Sequence, residues 1–98
     1  MEVVNREPPS QDVLAYKLWH LLREGDTYFI YVYCEQSAAG FTVMVQLTPD
    51  EYAEYHALGW IFLQYLAEKI NYWPTRYASR RVGSALQAAA EALIKHPD

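Results

Sequence analysis

Ninety-eight residues, 52% of them hydrophobic and 15% aromatic, suffice for one core and exclude a second domain. A net charge of -4 argues against nucleic acid as an obligate partner, and a lone cysteine, Cys34, excludes an internal disulfide. No apolar run approaches the roughly 20 residues of a membrane span, and no signal-peptide pattern opens the chain, so the expectation is a cytoplasmic protein with no membrane contact.

Residues 1–9, MEVVNREPP, read as a flexible N-terminal arm in which only Val3 and Val4 offer apolar anchorage, with a short edge strand as an option. The remainder, 10–98, is expected to be a single domain. Ser10 can cap a first helix over residues 11–24, where Leu14, Leu18, Leu21 and Leu22 form a stripe broadened by Ala15 and Trp19, and Gly25 supplies a left-handed stop. The run VLAYKLW on its own also fits a strand. Residues 27–33, TYFIYVY, and 41–47, FTVMVQL, are rich in β-branched and aromatic side chains and form a hairpin around a loose loop, Cys34 to Gly40. The second strand alternates apolar and polar positions. The first is apolar on both sides, which requires a cover on each face. Two strands alone are marginal, so the sheet is expected to gain another strand from the N-terminal arm or from a second subunit.

The segment 48–73 reads as one long helix. Thr48 and Glu51 have the spacing of a capping box, Pro49 fits the first turn, and Pro74 disfavours helix at Trp73. One face gathers Tyr52, Tyr55, Gly59, Phe62, Leu63, Leu66, Ile70 and Trp73 for the core. The other holds Glu54, Glu68 and Lys69 but also Leu58, Ile61, Tyr65 and Tyr72, a second apolar stripe that needs its own cover. A third helix is expected over residues 75–94, with Ala78, Val82, Ala85, Leu86, Ala89 and Leu93 at helical spacing and Gly83 as a weak point. The fold class is therefore α+β, order α-β-β-α-α, with an antiparallel hairpin on a long central helix.

Little in the chain specifies chemistry. His20, His56 and His96 lie far apart, Cys34 has no ligand-spaced partner, and the four serines lack a nucleophile-elbow context. Neither a catalytic residue, a metal site nor a cofactor is expected, and the protein is read as no enzyme. Arg76, Tyr77, Arg80 and Arg81, near Tyr72 and Trp73, fit either a protein contact or a polyanion contact. The charge is also split, with a balance of -7 over residues 1–68 and +3 over 69–98. The leading expectation is a non-enzymatic protein-binding module that self-associates as a homodimer through Leu58, Ile61, Tyr65 and Tyr72, through the hairpin edge, or through both. Such a module would resemble small bacterial or phage adaptors, inhibitors or immunity-type factors only in size. A nucleic-acid-binding regulator using Arg76, Arg80 and Arg81 is the alternative, and a small-ligand pocket around Tyr52 and His56 the third.

Overall fold

Residues with apolar side chains on both sides dominate the first half of the chain, and they form a sheet covered on both faces. A computed structural model describes residues 1–6, 19–34 and 41–95. Strands β1 (Glu2–Arg6), β2 (Trp19–Glu24), β3 (Thr27–Cys34) and β4 (Phe41–Gln46) make an antiparallel meander in sheet order β1-β2-β3-β4. Helices α1 (Pro49–Leu58) and α2 (Trp60–Tyr72) follow, then a 3₁₀ helix (Pro74–Arg80) and α3 (Ser84–Lys95). The α+β class holds. Among the described residues, the expected order α-β-β-α-α is corrected to four strands followed by the helices.

The meander sorts its side chains by parity. Trp19, Leu21, Ile30, Val32, Cys34, Val43 and Val45 pack with Leu63, Leu66, Ala67 and Ile70 of α2. Leu22, Phe29, Tyr31 and Met44 point to the other side, where Ala90 of α3 and the half-buried Leu86, Leu93 and Ile94 cover them. The two faces thus have separate helical covers, as the uninterrupted apolar character of β3 demands. Burying each of these large side chains contributes about 1.5–3 kcal/mol before the entropy of ordering the chain is set against it.

The helix expected over residues 11–24 is corrected where the structure describes it: residues 19–24 are β2, while 11–18 lie outside the described residues. Trp19 shows why strand prevails. It is fully buried against α2, and its indole N–H donates to Gln64 Oε1 at 2.8 Å, whereas Leu21 and Leu22 fall into opposite cores, which a single helical stripe would not permit. Gly25 takes φ +61° in the two-residue connection between β2 and β3 rather than ending a helix. Positive φ at the first loop position alone is the pattern of a type II′ hairpin turn.

The N-terminal arm supplies the edge strand that the sequence left as an option. Between Val3 and Asn5 the register of β1 on β2 slips by one residue, so Glu2 and Asn5 share the α1 side while Val3 turns to α3. Asn5 Nδ2 donates to Tyr55 Oη at 3.4 Å, and Arg23 forms an ion pair with Glu2. The bulge twists and blunts this outer edge against strand addition. At the opposite edge, Arg81 bridges to Val45 and the Val82 N–H donates to the Met44 carbonyl at 2.9 Å.

Candidate functional site

The element expected to carry the interface is broken. Gly59, at φ +69° and ψ -147°, ends α1 and starts α2, correcting the single long helix of residues 48–73. The Thr48 cap is as expected: the Glu51 N–H donates to Thr48 Oγ1 at 3.1 Å, and the Thr48 N–H donates to Glu51 Oε1 at 2.9 Å. Helix α1 buries none of its residues fully and leans on the sheet chiefly through Tyr55. Helix α2 carries the core stripe Leu63, Leu66, Ala67 and Ile70, which matches part of the expected inner face. Tyr52 and Trp73, assigned to that face from spacing, are exposed.

Opposite the core stripe, Ile61, Tyr65 and Tyr72 stand 60%, 60% and 62% exposed, with Glu68 between them and Lys69 Nζ 5.3 Å from the Tyr65 ring centroid. Exposed Trp60 and Trp73 lie at the two ends of α2. Leu58 is exposed too, but the break at Gly59 takes it off the helix that aligns the other three. Ile61, Tyr65 and Tyr72 therefore form one exposed row along α2, flanked by the two tryptophans at its ends. Spacing found Leu58, Ile61, Tyr65 and Tyr72; Trp73 was missed because a continuous helix turns it toward the core, and Trp60 because it falls on neither stripe.

The arginine group is divided among structural tasks. Arg80 Nη1 donates to Glu51 Oε2 at 3.2 Å, and Nη2 donates to the Gln46 carbonyl at 2.9 Å, so Arg80 ties the α1 cap to the end of β4. It also lies 5.4 Å from the Tyr77 ring centroid. Arg81 donates to the Thr42 carbonyl at 3.3 Å, and Arg76 stacks 5.0 Å from the Trp73 ring centroid. The expected helix over residues 75–94 is corrected to a 3₁₀ helix and α3, separated by Arg81 to Gly83. The free edge of β4 captures residues 81 and 82 in strand-like bonds that a continuous helix could not offer. Gly83 needs no close approach to explain it, for nothing lies within 4 Å of a Cβ placed there.

Tyr28, Tyr52 and His56 are brought together, with centroids 4.9 Å apart for the tyrosines and 4.4 Å for Tyr52 and His56. The rings pack on one another beside an open cleft of about 230 Å³ lined in part by Asp26, Tyr28 and Tyr52. On the α3 face, Glu91 accepts from Tyr31 Oη at 3.3 Å and from Gln87 Nε2 at 3.3 Å, and burial pushes the Tyr31 hydroxyl pKa up. Cys34 is fully buried, with its thiol facing the Ile70 carbonyl at 3.9 Å, and burial pushes its pKa up to about 11 against a smaller opposing effect of Arg81. Among the described residues, no three His, Cys, Asp or Glu side chains are grouped as metal ligands would be, and no helix is long and apolar enough to cross a membrane. His96 lies outside the described residues. Comparison with protein-family models, curated proteins and solved structures found no match.

Proposed function

We propose that this protein is a non-enzymatic protein-binding module that self-associates as a homodimer through the outer face of α2. The observation that carries the reading is the row Ile61, Tyr65 and Tyr72, each about three-fifths exposed on a helix whose opposite face is fully occupied by the core. Isolated apolar side chains on a surface need no explanation; three aligned on one helix, with a tryptophan at each end, favour a partner. Tyr and Trp are also the types enriched where binding energy concentrates.

The nucleic-acid reading has less support. Arg80, central to that set, is bound to Glu51 and to the β4 backbone, which leaves Arg76 and Arg81 as its exposed members. Exchanging both Ile61 and Tyr65 for Asp tests the leading reading. The expected product is a folded monomer, judged by an unchanged circular dichroism spectrum and half the wild-type mass. A double variant that keeps the wild-type mass, or a wild type already monomeric, contradicts it. Retention of DNA or RNA at low salt, lost on changing Arg76 and Arg81 to Ala, would favour the alternative.

A further inference from the structure

Resting on the self-association reading above, the geometry points to a specific partner arrangement: α2 of a second copy lying antiparallel on α2, with Ile61 opposite Tyr72 and Tyr65 opposite Glu68 of the second copy. Ile61, Tyr65, Glu68 and Tyr72 follow one another at intervals of four, three and four residues. This is the alternating seam by which paired helices interlock, and it runs for about 17 Å along α2.

The single charge in the seam decides the direction. In a parallel two-fold pair each seam residue meets its own counterpart, which would press Glu68 against Glu68 of the second copy as water is excluded. Two like charges there oppose assembly. Reversing one helix removes that encounter and sets each Glu68 carboxylate against the Tyr65 phenol of the other copy, whose O–H can donate to it. The Lys69 ammonium already stands 5.3 Å from that ring's centroid, so the carboxylate arrives beside a cation. The same contact occurs twice, since the two-fold axis exchanges the copies. Glu68 and the seam side chains are exposed in the single chain, so the arrangement needs no opening of the core.

Charge reversal tests the register. Glu68→Lys and Lys69→Glu are each expected to weaken dimerisation at least tenfold, because each variant on its own brings like charges together at both contacts. An equimolar mixture of the two should recover affinity to within about threefold of wild type. In the mixed dimer the lysine introduced at position 68 of one chain meets the glutamate introduced at position 69 of the other, and the unchanged Glu68 and Lys69 meet at the second contact. Native mass spectrometry with one variant isotopically labelled reads the mixed dimer directly, and circular dichroism of each variant verifies that the fold is retained. Failure of the mixture to recover overturns the antiparallel register, as does preferential pairing of Glu68→Lys with wild type, the signature of a parallel seam. A wild type that stays monomeric would instead remove the self-association reading beneath it. A dimer abolished by Ile61→Asp but indifferent to both charge variants would overturn the register and leave the surface standing.

Discussion

Thr48 and Glu51 illustrate how much one residue can hold in place. The Glu51 carboxylate closes the capping box and also receives Arg80, so the start of α1 and the end of the 3₁₀ helix share one anion. Thr48→Ala should lower stability by about 0.5–2 kcal/mol, and an unchanged denaturant midpoint would remove the cap from the account. Cys34 gives a second expectation at this scale. Its thiol pKa is raised from 9.0 to about 11 in the folded chain, so below pH 9 both states are protonated and its contribution to stability is fully present; between pH 9 and 11 the unfolded thiol ionises first and that contribution is lost. Wild type should therefore lose stability across that window faster than Cys34→Val, and identical pH profiles would contradict the burial argument. The capping box was legible because it depends on residues three apart. The Arg80 contact was not, because it joins positions 29 residues apart through the fold.

At the scale of elements, the sequence disclosed those whose evidence is local and misjudged those decided by tertiary partners. β3 and β4 were legible from β-branched and aromatic runs. The stretch that forms β2 reads as helix because Trp19, Leu21 and Leu22 are all buried, and a strand covered on both faces loses the polar alternation that separates strand from helix. The long helix was divided by Gly59, whose tolerance inside a helical pattern is ordinarily good enough to pass unnoticed. Its backbone decides between the two descriptions. In a continuous helix Gly59→Ala would stabilise by up to about 1 kcal/mol. At φ +69° and ψ -147° the same change should destabilise by about 1–3 kcal/mol, although nothing within 4 Å obstructs the new methyl group. Thermal unfolding of this one variant reads the sign. The break leaves Ile61, Tyr65 and Tyr72 in one row on α2 and places Leu58 on the preceding helix.

For the whole molecule, one sheet with a helical cover on each face accounts for most of the apolar content noted from composition, and the outer face of α2 holds much of what remains exposed. The second apolar stripe was legible from periodicity alone, and Leu58, Ile61, Tyr65 and Tyr72 are all exposed. The antiparallel pairing proposed for that face was not legible there, because it rests on where the Lys69 ammonium lies against the Tyr65 ring. The bulged β1 edge and the occupied β4 edge leave this helical face as the better candidate for assembly. Light-scattering mass across a concentration series tests that claim most directly. The account predicts a wild-type species of twice the 11.4 kDa chain mass that falls to the single-chain mass when Ile61 and Tyr65 are both changed to Asp. A wild-type protein that stays at the single-chain mass up to millimolar concentration would contradict it.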